Sequence, residues 1–275
     1  MTCMTVSVLG CGWLGFPLAQ NLLSKGFTVK GSTTSRKKLK EIKLAGIQAH
    51  LIELPKQLED EESKSFWSTD ILFLNIPPGR GNKNVEKDYP QLIQKVVDKA
   101  KKEDIEWIIF ASSTSVYSPF GGVTKEEDAE PGHAARPSGE AVLKAENILK
   151  ESGLDVTIIR FGGLYGYGRH PIKYLAGKKG LSDAAKPVNL IHQTDCLNII
   201  LEIIRLDKKN EIYNAVSDGH PPRKEFYKSA AQYFNLPEPE FNSQEKADYR
   251  VVSNDKLKLE LNYTFSYPNP MDHTP

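Results

Sequence analysis

The stretch "VSVLGCGWLGFPLA", residues 6–19, carries the strongest indication of the fold. A run of strand character, Val6 to Leu9, leads into three glycines and then into an amphipathic helix. Gly10 would allow a tight turn, Gly12 the close approach of backbone to a pyrophosphate, and Gly15 the packing of helix on strand. A plain glycine-bearing turn is the alternative. The context favours a dinucleotide site with amide N–H groups facing the phosphates, formed by Gly10, Gly12, Trp13, Leu14 and Gly15.

Outward from this stretch, short apolar runs alternate with segments of helical period along the chain. The strands are predicted at 6–9, 28–31, 50–54, 70–76, 107–113, 155–161 and 212–216, and the helices at 12–25, 37–45, 85–102, 138–152 and 196–206. This alternation predicts an α/β fold, a Rossmann doubly wound parallel sheet of about seven strands. We expect residues 1–160, with a return at 187–217, to form the NAD(P)-binding domain. The remainder of 161–275 would form a small, interleaved C-terminal lobe that covers the substrate.

Composition excludes several classes of protein. The 275 residues include 36 Lys and Arg against 35 Asp and Glu, so there is no single-sign field for coating nucleic acid or an acidic membrane. Three cysteines without a zinc-ligand spacing indicate buried thiols in a reducing compartment. The first residues lack the basic start of a signal peptide, and no apolar window could span a membrane. We expect a cytoplasmic protein with a small-molecule substrate, no nucleic acid or membrane partner, and no metal.

The end of the second predicted strand bears on the choice of cofactor. About twenty residues after the glycines, where a carboxylate would bind the ribose 2′-hydroxyl of NAD, the chain reads "GSTTSRKK", residues 31–38. Ser32, Thr33 and Ser35 supply hydroxyl groups, and the guanidinium of Arg36 suits a 2′-phosphate. The sequence therefore favours NADP over NAD, with a basic start to a surface helix as the alternative.

Three further stretches resemble one enzyme superfamily in order and spacing. They are "SSTSVY" at 112–117, "RFGGLYGYGR" at 160–169 and "IHQTD" at 191–195. Together they resemble the extended short-chain dehydrogenase/reductases, the NAD-dependent epimerase/dehydratase family. The GxGxxG spacing of the glycines, in place of GxxGxxG, places the resemblance in an atypical branch. It implies an NAD(P)-dependent oxidoreductase or epimerase/dehydratase-like enzyme acting on a small hydroxyl or carbonyl substrate, such as a sugar derivative. The opening glycine stretch also prompts a β-hydroxyacid dehydrogenase, a family that does not need the "SSTSVY" and "IHQTD" elements.

The resemblance assigns residues to the site. Ser113 falls where the family's catalytic Ser or Thr hydrogen-bonds the substrate oxygen. The strand-end residues expected along the cofactor are Asn75, Ile76, Pro77, Ser112, Phe161, Gly162 and Leu164. His192 and Asp195 lie on an element that is expected to be structural. Arg160, Arg169 and Arg223 could hold an anionic or sugar substrate, although ordinary solvated arginines are the alternative.

The family's Tyr-x-x-x-Lys pair, in which Lys lowers the Tyr pKa so that phenolate acts as a base, is missing. The alignment puts Ser138 at the Tyr position and Val142 at the Lys position. Either another group moves the proton, or the protein is a dinucleotide-binding regulator or redox sensor without turnover. The unassigned candidates for the proton are Tyr117, Tyr165, His133 and His170. By resemblance, helices 85–102 and 138–152 would pair across a homodimer.

Overall fold

The computed structural model describes residues 4–79, 81–242 and 249–272. Its strands are β1 (Thr5–Leu9), β2 (Thr28–Thr33), β3 (Gln48–Leu51), β4 (Ile71–Leu74), β5 (Trp107–Ser113), β6 (Val123–Thr124), β7 (Asp155–Phe161), β8 (Gly163–Tyr165), β9 (Leu190–His192), β10 (Ile212–Ala215) and β11 (Val251–Val252). Its helices are α1 (Gly15–Ser24), α2 (Arg36–Leu44), α3 (Glu61–Trp67), α4 (Val85–Lys102), α5 (Pro137–Lys150), α6 (Gln193–Arg205), α7 (Arg223–Tyr233) and α8 (Asp255–Leu261).

Seven of the strands form one parallel sheet in the order β10-β7-β5-β4-β1-β2-β3. The predicted α/β fold with a seven-stranded parallel sheet is confirmed. The predicted limits of β5, β7 and α4 agree with the structure, whereas α3 was not predicted, because seven residues are too few to show a helical period. Helix α6 begins three residues before the predicted start, where the His192 Nδ1 accepts a hydrogen bond from the Thr194 N–H (3.2 Å).

Apolar side chains cover both faces of this sheet. Along β5, Trp107 and Ile109 enter one core with residues of α1 and α6, while Ile108 and Phe110 enter the other with residues of α4 and α5. Because every strand is pleated, alternate residues point to opposite faces, and helices on both sides bury them. The described part of the chain contains no helix long and apolar enough to cross a membrane.

The strand order decides where a ligand can bind. The chain runs outward from β1 through β2 to β3 and then returns to β4 on the other side of β1. In such open sheets the crevice outside the carboxyl ends of the strands at this reversal is the usual ligand site. Two small parallel pairs, β6 with β11 and β8 with β9, lie outside the main sheet.

Candidate cofactor and substrate site

A cavity of about 800 Å³ lies at the carboxyl ends of β1, β2, β4, β5 and β7. Its volume falls in the range of small-molecule and cofactor sites. The structure brings most of the predicted site residues to this one cavity, and leaves Gly15 and Arg36 outside its lining. The predicted residues that line it are Gly10, Gly12, Trp13, Leu14, Ser32, Thr33, Ser35, Asn75, Ile76, Pro77, Ser112, Ser113, Phe161, Gly162 and Leu164.

The three glycines have different surroundings. Gly10 has a φ of +109°, and a Cβ there would lie 2.5 Å from the Asn75 carbonyl oxygen. A Cβ on Gly15 would lie 2.2 Å from the Gly10 carbonyl oxygen, so this glycine permits the contact between helix and turn. A Cβ on Gly12 would meet no atom within 4 Å. Gly12 therefore borders open space in the cavity, and the loop fits a pyrophosphate brought against its backbone.

The hydroxyl groups after β2 shape the loop from the other side. The Ser32 Oγ accepts a hydrogen bond from the Gly10 N–H (2.9 Å), and the Ser35 Oγ caps α2 by accepting from the Lys38 N–H (3.4 Å). Both Arg36 and Lys38 are exposed, and of the two Lys38 lines the cavity. The sequence prediction singled out Arg36 from the basic run Arg36 to Lys38, and the structure instead brings Lys38 to the cavity lining.

The charges around the cavity are unbalanced. Among the described residues that line it, none is Asp or Glu, whereas Lys38 and Arg169 are basic. No described carboxylate is thus in position to bind a ribose 2′-hydroxyl. A cavity with this lining favours an anionic ligand.

Serine hydroxyls collect where β5 ends. Ser113, Ser115 and Ser138 line the cavity together with Val142, which follows Ser138 by one turn of α5. The Ser113 Oγ accepts a hydrogen bond from the Ser115 N–H (3.1 Å). The two positions that align with the family's Tyr and Lys therefore reach the cavity, and they carry a hydroxyl and an isopropyl group.

The four unassigned acid–base candidates are not among the residues that line this cavity. Tyr117 is 1% exposed and donates to the Asn214 Oδ1 (2.7 Å), and burial raises its pKa to about 12. Burial also raises the pKa of Tyr165. His170 is buried and stacks on the Phe226 ring of α7. His133 is exposed, and its Nδ1 lies 3.1 Å from the Glu130 carboxylate.

Arg160 belongs to the interior instead of a substrate site. Its Nη2 lies 2.6 Å from the Glu146 Oε2, and both side chains are at most 2% exposed. Its Nη1 donates to the Tyr117 hydroxyl (2.7 Å), and the Ser112 hydroxyl donates to the Glu146 Oε1 (2.5 Å). This buried ion pair therefore supports β5 and β7 directly beneath Ser112, and the expectation that Arg160 could hold substrate was wrong.

His192 and Asp195 form structural contacts around α6. Besides capping the helix, His192 is fully buried, and this burial lowers its pKa to about 4. The Asp195 carboxylate accepts hydrogen bonds from the Ser266 N–H (2.8 Å) and the Tyr267 N–H (3.0 Å). The pair holds the C-terminal segment against the start of α6. Arg223, which was also considered as a substrate-binding residue, is the first residue of α7 and donates to the Ser182 carbonyl (2.6 Å).

The parallel sheet, the glycine loop and the cavity define a Rossmann-type dinucleotide-binding protein. A family profile described as NAD(P)H-binding matches residues 10–189, and Protein YeeZ of Escherichia coli (strain K12) is 33% identical over 270 residues, 97% of each chain. This chain belongs to the NAD(P)H-binding family.

Solved structures share the fold at low sequence identity. UDP-glucuronic acid 4-epimerase of Bacillus cereus, solved with UDP-glucuronic acid and NAD, has a TM-score of 0.76 at 17% identity, covering 98% of this chain and 97% of its own. UDP-glucose 4-epimerase of Thermotoga maritima, solved with UDP-glucose, has a TM-score of 0.77 at 16% identity, covering 98% and 96%. The predicted resemblance to NAD-dependent epimerase/dehydratases is confirmed in the fold that they share.

Proposed function

We propose that this protein is an NADP-dependent oxidoreductase of the epimerase/dehydratase type that acts on a hydroxyl or carbonyl group of a sugar-derived substrate. The observation that carries the proposal is that one cavity extends from the open backbone at Gly12 to the hydroxyl of Ser113. The glycine loop would hold the diphosphate, and Asn75, Ile76 and Pro77 would border the adenosine side. Ser112, Phe161, Gly162 and Leu164 would border the nicotinamide.

The preference for NADP rests on Lys38, which lies in the first turn of α2 and lines the cavity. Lys38→Met should weaken NADPH binding about tenfold or more, because a hydrogen bond to a charged group is lost, and should leave NADH binding unchanged. Fluorescence titration with each cofactor measures both constants, and Arg36→Met tests the predicted role of that side chain in the same way. Lys40→Met, an exposed lysine of the same helix outside the cavity lining, is the matched control. Wild-type protein that binds NADH as tightly as NADPH would refute this preference.

The end of the cavity at Ser113 is suited to bind the substrate oxygen that takes part in the reaction. Because the Ser113 Oγ already accepts the Ser115 N–H, its own proton is available for donation to a substrate oxygen. A bound nicotinamide would supply or accept the hydride. Burial raises the pKa of two lining side chains, the Cys11 thiol to about 12 and the Tyr89 hydroxyl likewise upward, so neither is suited to act as a base near neutral pH.

A basic cluster of Lys186, Arg136, Arg223 and Arg250 supports an anionic substrate. The UDP-sugars in the two epimerase structures are anionic ligands and support it as well. Burial lowers the pKa of Lys186; the charge of Asp183 opposes this shift, and the positive charges of Arg250 and two further arginines add to it. Asn189 connects the cluster with the cavity, because its carbonyl accepts from the Gly163 N–H (2.8 Å) and its amide donates to the Arg250 carbonyl (3.4 Å). The phosphates of a sugar nucleotide would find counter-charges there.

Ser113→Ala should lower kcat/KM by about ten- to a hundredfold while the Kd of NADPH stays unchanged, because only a contact to the reacting oxygen is lost. The assay follows NADPH oxidation with a panel of nucleotide sugars and small ketones. Ser118→Ala, a serine of the same loop outside the cavity lining, is the control. Turnover that survives Ser113→Ala at the wild-type rate would exclude this role.

A dinucleotide-binding regulator without turnover is the second candidate. It is favoured by Ser138 and Val142 at the positions of the acid–base pair, since a positioned acid or base supplies about 10²- to 10⁴-fold in rate. The two candidates differ in one measurement. Tight NADPH binding by the wild type, with no oxidation across the whole panel, would support the regulator and exclude the enzyme.

A homodimer through α4 and α5 stays a prediction. The outer surface of these helices carries exposed charged side chains, among them Glu86, Lys95 and Lys144. The exposed large apolar side chains of the described residues, such as Phe120 and Leu259, lie on other elements. Such a surface is more polar than a typical obligate dimer interface. A cytoplasmic location likewise remains an expectation from the sequence.

A further inference from the structure

A short hairpin of the C-terminal half lies against the glycine loop. Gly166 and Arg169 exchange backbone hydrogen bonds of 2.9 and 2.8 Å, which places Tyr167 at the tip of the hairpin. The Trp13 indole N–H donates to the Tyr167 carbonyl (2.9 Å), and the Gln193 side-chain amide donates to the Trp13 carbonyl (2.6 Å). Trp13 is thus attached, through both its side chain and its backbone, to residues that follow β7 in the chain.

This contact fixes the position of Arg169. Its guanidinium carbon lies 5.0 Å from the centre of the Trp13 ring, and the half-buried side chain lines the cavity. In the described part of the chain the arginines that form ion pairs are Arg160, Arg205 and Arg223. Arg169 therefore brings a positive charge to a cavity whose described lining has no carboxylate to neutralise it.

We propose that Arg169 binds the diphosphate of the dinucleotide together with the glycine loop. Trp13 directly follows Gly12, whose open side we assign to the diphosphate, so a guanidinium that lies over the indole ring lies beside the same group. The planar guanidinium carries several N–H donors and can bind two phosphate oxygens at once. The inference rests on the proposed use of the glycine loop by NADP, and it adds a residue outside that loop.

Titration with NADPH tests the contact. Arg169→Met should weaken binding about ten- to a hundredfold, and Arg169→Lys less, because lysine keeps the charge but loses the bidentate geometry. Arg205→Met, at an exposed arginine that pairs with Glu202 on α6, is the matched control and should leave the Kd unchanged.

Phosphorus NMR of bound NADP⁺ locates the contact, because the diphosphate and the 2′-phosphate give separate resonances. Arg169→Met should shift the diphosphate resonances and leave the 2′-phosphate resonance in place. Unchanged resonances with an unchanged Kd would overturn the inference, even if the variant altered KM for a substrate. If Arg169→Met did not fold, as judged by thermal unfolding, Arg169→Lys would decide by the same two measurements. Wild-type protein that did not bind NADPH would overturn the proposed function as well.

Discussion

Gly12→Val should abolish NADPH binding and leave the stability of the fold unchanged. The backbone of Gly12 does not require a positive φ, and a Cβ there meets no atom within 4 Å, so a side chain at this position begins without a clash. It would occupy the space where a diphosphate must approach the amide groups. We expect the Kd to rise at least about a hundredfold, since several charge-assisted hydrogen bonds are lost together. Fluorescence titration with NADPH and urea unfolding measure the two quantities.

Gly15→Ala, in contrast, should lower the stability of the fold. Its new methyl group would lie 2.2 Å from the Gly10 carbonyl oxygen and 3.1 Å from a Val8 methyl, so the start of α1 must move. Overpacking of this kind costs about 1–3 kcal/mol in the free energy of unfolding. A Gly12→Val protein that binds NADPH as the wild type does would place the diphosphate away from this loop.

Arg160→Met should lower the free energy of unfolding by about 3–5 kcal/mol, the usual cost of removing one partner of a buried ion pair. The variant leaves the Glu146 carboxylate, which has no exposed surface, without its counter-charge. It also removes the Arg160 donors to the Tyr117 hydroxyl (2.7 Å) and the Glu126 carbonyl (2.7 Å). Urea unfolding at neutral pH measures the loss.

The double variant Glu146→Gln/Arg160→Met separates charge burial from packing. Glutamine keeps the shape of the side chain and can still accept a hydrogen bond from Ser112, but it carries no charge. We therefore expect the double variant to be more stable than Arg160→Met alone. Arg205→Met, which breaks an exposed pair, should change stability by less than about 1 kcal/mol. A loss at Arg160 as small as that at Arg205 would show that the buried pair contributes little to the stability of the fold.

The sequence was sufficient for the fold because local patterns and the tertiary structure agree. Residues 107–113 are apolar until the strand reaches the ligand edge, where serines replace them, and this change marked both the strand and the cavity. The glycine spacing, read together with its flanking strand and helix, identified the loop for the same reason. Each of these signals lies within one element, so no knowledge of distant contacts was needed.

The contacts that sequence reasoning missed are those between distant elements. Arg160 looks like any strand arginine until the fold sets it against Glu146 on α5, fourteen residues earlier. Trp13 and Tyr167 are 154 residues apart, so their hydrogen bond left no local pattern. Tyr117 was one of the four unassigned candidates for the acid or base, but the turn after β5 directs it into the core.

The attachment of Trp13 to the Tyr167 hairpin also bears on how this protein could be recombined or shortened. A fragment that ends after β7 would keep every glycine of the loop, yet it would lose the Tyr167 carbonyl and the Gln193 amide that hold Trp13 in place. Its loop would have to be ordered at the moment of binding, which costs conformational entropy. The nucleotide-binding half is therefore not an exchangeable module. A chimera with another C-terminal lobe would have to bring the partners of Trp13 with it.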